Sequence, residues 1–248
     1  MRIATAVVCF VAAMISARAE DAAKPSAADI LGKVDHAIND FKDAVWESKL
    51  RVRQPSGEAR EYGFTTFQKV PGKRLVRFTA PGDVAGMGVL VETADTIYVY
   101  LPEFKKVRRM GTHVKNQTFM GSDFSFEDMS QTTYSSTFVP KLVGEENGNY
   151  ILELTQKAGL DLEFPRMKMW VGKEHEQPTR LELMDGSGKT LKTQERLDYK
   201  KAGEHWQPGR IVVTDHRRND HTSEIVFVTS KFNSGLADDI FSVRSLQR

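Results

Sequence analysis

Six histidines, a scatter of carboxylates and many serines are the side chains in this 248-residue sequence that could do chemistry. A serine hydrolase would need Gly-x-Ser-x-Gly on a strand-to-helix turn, where a strained elbow lifts the hydroxyl out of the sheet. That motif is missing, and Gly186-Ser187-Gly188 reads as a hairpin tip. The closest histidines, His216 and His221, straddle a turn with Asp215, Asp220 and Glu224 nearby. Such a set could hold a metal, yet turns rich in Asp and His are ordinarily just solvated. No pair of carboxylates stands out by apolar surroundings. Asp123 is the best single candidate, and a helix-capping or loop-fixing role accounts for it more cheaply. Gly86-Met87-Gly88 lacks the lysine and the following helix of a phosphate loop. The residues therefore point to a non-catalytic protein without metal or cofactor.

The N-terminus says where that protein works. Arg2, an apolar run from Ile3 to Ile15, and Ala17-Arg18-Ala19 have the order of a secretory signal, with cleavage expected between Ala19 and Glu20. The run is shorter than the roughly 20 apolar residues that span a membrane. Export removes Cys9, the only cysteine, so residues 20–248 contain no thiolate, disulfide or cysteine metal site. It also removes Arg2 and Arg18 from a chain of 35 basic and 33 acidic residues, leaving the charges balanced. Balance argues against nucleic acid, whose non-specific binding needs a basic excess. The remaining length suits one domain with one large core.

The elements follow from periodicity. Ile30, Leu31, Val34, Ile38 and Phe41 recur three or four apart behind Ser26-Ala27-Ala28-Asp29, which predicts one amphipathic helix. After Ala44 the chain alternates at period two, with turns such as Pro71-Gly72, Asp185-Gly186 and Arg218-Asn219-Asp220 between the runs. Consecutive strands with short turns and no intervening helices predict an antiparallel meander. Around Phe119–Met129 the alternation breaks. Ser125 and Asp128 there have capping-box spacing, so a short helix is expected.

Several strands carry large side chains on both faces, more than one thin sheet requires. A strongly curved sheet can bury a helix on its concave side and still line a cavity. The candidate apolar lining is Trp46, Leu50, Phe64, Phe78, Met87, Leu90, Tyr98, Tyr100, Met167, Met169, Leu181 and Leu183. A one-residue register error would put half of these on the wrong face. Facing them as a lid would be Ile30, Val34, Ile38 and Phe41 of the helix. Phe119, Met120, Phe124, Phe126 and Met129 would form a movable gate, hinged at Gly121. Asp123 would pin the gate through backbone amides or through Arg108 or Arg109. In the basic run Lys105-Lys106-Val107-Arg108-Arg109, alternation puts Lys105 and Arg109 on one face and Lys106 and Arg108 on the other. The run is either a solvated edge protected by charge or, at Lys106, Arg108 and Arg109, a contact for lipid headgroups or an acidic partner.

Met87-Gly88, then Asp95-Thr96-Ile97-Tyr98-Val99-Tyr100-Leu101-Pro102, then Val107-Arg108-Arg109-Met110 resemble the outer-membrane lipoprotein-sorting family. Phe119-Met120-Gly121-Ser122-Asp123-Phe124-Ser125-Phe126-Glu127-Asp128 and the terminal Asp239-Ile240-Phe241-Ser242 continue the resemblance. It extends over the whole processed chain, to the branch of the LolA-like superfamily that includes a treponemal protein of unknown function. The resemblance implies an open antiparallel β half-barrel with helices as a lid over an apolar cavity. It implies a periplasmic carrier, expected to be a monomer, that shields acyl chains of a lipoprotein or membrane lipid between two membranes. It also implies an inner-membrane lipid exporter as companion. A lipid sensor signalling through a partner, or an unseen lipid hydrolase, are the readings from other classes.

Overall fold

The computed structural model describes residues 24–53, 57–93, 96–111, 117–125, 128 and 133–247. The expected signal sequence and its cleavage site lie outside these residues, as do Phe126 and Met129. No helix among the described residues is long and apolar enough to cross a membrane.

The helix α1 runs Ala27–Asn39. It starts where the Ser26 hydroxyl accepts from the Asp29 backbone N–H at 3.1 Å while the Asp29 carboxylate accepts from the Ser26 N–H at 3.1 Å. This reciprocal box satisfies two donors that a helix start leaves orphaned. Ile30, Leu31 and Val34 are buried along one stripe, each worth about 1.5–3 kcal/mol of apolar burial. Asp35, on the solvent side of that stripe, accepts the backbone N–H groups of Tyr134 and Ser135 at 2.6 and 2.9 Å. The helix is thereby tied to the segment that enters the second half of the sheet.

Among the described residues fifteen strands follow: β1 (Asp43–Arg53), β2 (Ala59–Lys69), β3 (Lys73–Ala80), β4 (Gly88–Thr93), β5 (Thr96–Leu101) and β6 (Lys106–Arg109) in the first half. The second half holds β7 (Phe138–Glu146), β8 (Asn149–Gln156), β9 (Arg166–Gly172), β10 (Pro178–Met184), β11 (Thr190–Leu197), β12 (Lys200–Ala202), β13 (His205–Gln207), β14 (Arg210–Asp215) and β15 (His221–Phe232). Thirteen of them form one sheet in the order β6-β5-β4-β3-β2-β1-β15-β14-β11-β10-β9-β8-β7, with β6 and β7 left as edges. Every pairing is antiparallel. The protein is mainly β, with one large open sheet that does not close into a barrel. β12 and β13 form a separate small hairpin between β11 and β14 that the sequence periodicity does not reveal.

The two meanders join where β1 pairs with β15, for example Leu50 opposite Ile225. Following the register from strand to strand assigns the inner face: Trp46 and Leu50, Phe64, Val76 and Phe78, Val89, Val99, Ile211, Gln194, Leu181 and Met169. One apolar cluster fills this face of the first half around Val52, Phe78 and Val89. A second lies under α1, around Leu152, Met169 and Leu181. A third sits on the outer face, where Leu75 and Leu90 pack against Phe241 and Leu246 of the C-terminal segment.

That outer cluster corrects part of the expected lining. Leu90, Tyr98 and Tyr100 belong to it, because each stands one residue out of phase with Val89, Val91, Ile97 and Val99 on the inner side. Their bulk is used to dock the C-terminus rather than to bound a cavity. Gly88 shows how close this docking is: a Cβ there would lie 2.7 Å from Leu246 Cδ2.

Candidate ligand cavity

A cavity of about 330 Å³ opens on the inner face between the two inner clusters, within the range of ~300–1000 Å³ usual for ligand sites. Of the expected lining, Trp46, Leu50, Phe64, Phe78, Met167, Leu181 and Leu183 border it. Met87 and Met169 share the inner face but are packed into the first-half cluster and under the helix, respectively. Of the expected lid, Ile38 reaches the cavity. Ile30 and Val34 anchor the helix to the sheet. Phe41 lies beyond the end of α1 and stacks edge-on with Trp46 at 5.8 Å, near Phe232 at 5.4 Å. Trp46 donates its indole N–H to Gln207 Oε1 at 3.1 Å, and Gln207 in turn donates to Ser230 Oγ at 2.6 Å.

Phe119 and Phe124 of the mid-chain interruption also line the cavity. Both are buried in the first-half cluster, with the Phe119 ring 5.2 Å from that of Phe78 and Met120 packed on the same cluster. The segment is a tight loop closed by Phe119 N–H donating to Phe124 O at 2.7 Å, with Gly121 at φ +73°, a left-handed conformation that suits glycine. The expected capping box is present: Asp128 Oδ2 accepts from Ser125 N–H at 2.7 Å and from its hydroxyl at 3.0 Å, and Asp128 N–H donates back to Ser125 Oγ at 3.2 Å.

Asp123 is fully buried. It accepts from Ser223 Oγ at 2.6 Å, from Arg218 Nη1 at 2.8 Å and from His221 Nδ1 at 2.7 Å. Lys192, itself buried, donates to the Asp123 carbonyl at 2.9 Å. The loop is thus pinned by a charged cluster at the end of β14 and β15, not by Arg108 or Arg109. Arg109 instead donates to the Thr96 hydroxyl at 3.4 Å. His216 and His221 do not converge either: His216 meets Asp220 at 2.6 Å while His221 turns to Asp123. Asp215 is held by Arg217. Burial pushes its carboxyl up, but the hydrogen bonds from Arg217 and its positive charge bring it below the ordinary value.

Lys106, Arg108 and Arg109 are exposed on β6 and border no part of the cavity. Lys105 is not in the strand at all. It caps the 3-10 turn Pro102–Phe104 at φ 50°, so the basic run splits into a turn residue and three edge residues.

Two charged residues absent from the sequence expectation line the cavity: Arg74 of β3 and Arg196 of β11. Arg74 donates to Gln68 Oε1 from Nε at 3.1 Å and from Nη2 at 2.8 Å. Arg196 donates to Gln194 Oε1 at 3.3 and 3.2 Å and to the Tyr134 hydroxyl at 3.2 Å. Burial, and then the positive charge of Arg196, pull the Arg74 guanidinium down to about 10. Burial also lowers Arg196, but the phenol oxygens of Tyr134 and Tyr199 more than offset it. Both stay protonated at neutral pH. The signal was available: Arg74 falls in phase with Val76 and Phe78, so a strand with those residues inside must also turn Arg74 inside.

The likeness to known structures is strong along the whole fold. A DUF1329 family protein from Desulfovibrio piger is 26% identical, with a TM-score of 0.82 over 89% of this chain and 97% of its own. A putative outer membrane lipoprotein-sorting protein domain from Vibrio parahaemolyticus is 24% identical, with a TM-score of 0.80 over 90% and 98%. A LolA superfamily protein from Nitrosomonas europaea is 20% identical, with a TM-score of 0.74 over 89% and 99%. Among curated proteins none matches the chain. Residues 71–248 match a family described as an uncharacterized protein. The chain belongs to that family, on the fold of the LolA superfamily and lipoprotein-sorting proteins.

Proposed function

We propose that the protein is exported through residues 1–19 and works in the periplasm as a non-catalytic carrier. Its cargo would be the acyl part of a lipoprotein or membrane lipid, moved toward the outer membrane. The observation that carries this reading is the cavity between α1, the Phe119–Ser125 loop and the sheet. Trp46, Leu50, Phe64, Phe78, Met167, Leu181 and Leu183 give it the apolar wall that an acyl chain needs. Burying a chain is worth about 0.8 kcal/mol per CH₂, so carriage requires no covalent step and no cofactor. The structural likeness to a lipoprotein-sorting domain supports the same reading. In it, α1 is the fixed wall and the Phe119–Ser125 loop the part that moves. The exposed edge carrying Lys106, Arg108 and Arg109 would meet headgroups or an inner-membrane exporter.

The test is transfer. Protein purified from the native periplasm is expected to bring lipid with it, identified by mass spectrometry. It should then move a fluorescent acyl lipid between vesicles without changing the lipid's mass. A changed mass would instead indicate a hydrolase, and binding without delivery a sensor. Either outcome would overturn the carrier reading.

A further inference from the structure

Phe104 is 54% exposed, and it is the one aromatic among the large apolar residues that the described fold leaves on the surface. A lone exposed apolar residue is ordinary, but the surroundings of this one are not. Phe104 ends the 3-10 turn that joins β5 to β6, the outermost hairpin of the sheet. Lys105, Lys106, Arg108 and Arg109 come directly after it, and all four are exposed. From Glu103 to Arg109 that makes four cations against one carboxylate, a net charge of +3. The chain as a whole has 35 basic and 33 acidic residues, so the patch is local and not a share of general basicity. Among the described residues none of the four cations forms an ion pair; Arg109 meets the neutral Thr96 hydroxyl.

The register puts charge on both sides of this edge. Lys106 and Arg108 stand opposite Leu101 and Val99, in the inner-face phase, and Arg109 stands opposite Tyr98, in the outer phase. The tip between them is braced. Lys105 takes the left-handed φ of 50° and donates its N–H to Pro102 O at 3.1 Å. Pro102 Cγ in turn lies 3.6 Å from the place of a Cβ at Gly86. A fixed turn presents the ring without an ordering cost at the moment of contact. An aromatic ring able to pass between headgroups, surrounded by cations that stay among them, is the chemistry of an interfacial anchor. Cations on both faces suit an edge dipped into a layer of phosphates, whereas a flat acidic protein would meet one face.

We propose that the β5–β6 tip is a membrane anchor, in which Phe104 enters the headgroup layer of an anionic bilayer while Lys105, Lys106, Arg108 and Arg109 meet its phosphates. The anchor rests on the carrier reading for its purpose, since a carrier must touch the membrane that loads it or receives its cargo. None of these residues borders the cavity, so docking and cargo binding can be measured apart.

The experiment is flotation of the purified protein with vesicles of phosphatidylcholine alone or mixed with phosphatidylglycerol. Retention is expected on the mixed vesicles and should fall as salt rises. Lys106→Ser/Arg108→Ser should weaken it by about fivefold per cation removed, and Phe104→Ser by about tenfold. Lys141→Ser, on the opposite edge strand β7, should change little. In Phe104→Trp, brominated lipid chains should quench more fluorescence than in the native protein, which reports entry of the ring itself. Equal retention on both vesicle types, no retention at all, or no added quenching overturns the anchor. Uptake of a fluorescent fatty acid from solution separates this from the carrier reading. Uptake without retention leaves the carrier and removes the anchor; retention without uptake keeps the membrane contact and removes the carrier.

Discussion

Ser223 and Asp123 hold each other twice, across 100 residues of sequence: the serine hydroxyl donates to Asp123 Oδ2 at 2.6 Å and accepts from the Asp123 backbone N–H at 3.0 Å. This double contact fastens the loop over the cavity to β15. Arg218 and His221 complete the carboxylate's surroundings. The loop is therefore attached through a buried ionic group rather than through apolar contact alone.

Replacing Asp123 by alanine should lower stability as well as loosen the loop. Truncating one partner of a buried pair leaves the others desolvated and uncompensated. That costs about 3–5 kcal/mol in full burial and less here, because Arg218 retains 37% side-chain exposure. A loss of about 2–4 kcal/mol in urea unfolding is expected, with Asp123→Asn losing less because it keeps the Ser223 contact. A change under ~1 kcal/mol would show that the loop is not held by this carboxylate.

Phe119 and Phe124 separate a gate from a core. Both are buried against Phe78 and its neighbours, and both also border the cavity. Truncating a buried phenylalanine costs about 3–5 kcal/mol. Phe124→Ala should cost that much or somewhat less, since one side of the ring already faces open space. It should also speed release of a fluorescent fatty acid measured by stopped flow. Unchanged release from the folded fraction would leave the two rings as packing alone.

Asp43 should give the fold an acid-sensitive seam. Its buried carboxylate accepts from the Ser234 N–H and hydroxyl at 2.7 and 2.8 Å, and from Gly235 and Leu236 N–H at 3.0 and 3.2 Å. Burial pushes the carboxyl up, but these hydrogen bonds outweigh it and hold it below the ordinary 3.8. A group depressed in the folded state contributes stability that is present above its unfolded pKa. That contribution is lost as pH falls through the folded value. The advantage of the native protein over Asp43→Asn should be complete at neutral pH and fade only below 3.8. An advantage that fades between neutrality and mildly acid pH would point to a different group.

Much of this architecture is legible in the sequence because it is written in short-range signals. The Ser26–Asp29 box, the stripe from Ile30 to Val34 and the two-residue alternation of the strands are local, and the structure keeps them. What alternation alone leaves open is which face is inner. Both faces of β4 and β5 are apolar, one bordering the first-half cluster and the other carrying the C-terminus. Nothing local to Tyr98 or Leu90 says that Phe241 and Leu246 return to cover them. The same holds for charge: Arg218 and His221 reach Asp123 only because β14 and β15 end beside the loop. Arg74 and Arg196 are the instructive pair. Arg74 shares its strand phase with Val76 and Phe78 and so turns inside, while Arg196 borders the cavity opposite Ile211, which only the pairing of β11 with β14 reveals.

The C-terminal dock is tested by a pair of substitutions at Gly88 and Leu246. A Cβ at Gly88 would stand 2.7 Å from Leu246 Cδ2, and Leu246 is itself 1% exposed, so the leucine has little room to give. Overpacking of this kind costs about 1–3 kcal/mol. Gly88→Ala should therefore destabilise by that amount and make the last residues more open to protease. Leu246→Ala should also destabilise, by about 2–5 kcal/mol, by emptying the pocket formed with Leu75, Leu90 and Phe241. Combined, the two should cost less than their sum, because the smaller side chain at 246 makes room for the new methyl group. A coupling of about 1 kcal/mol in the double-mutant cycle is expected. Strict additivity would mean that Gly88 is retained for its backbone and not for the closeness of Leu246.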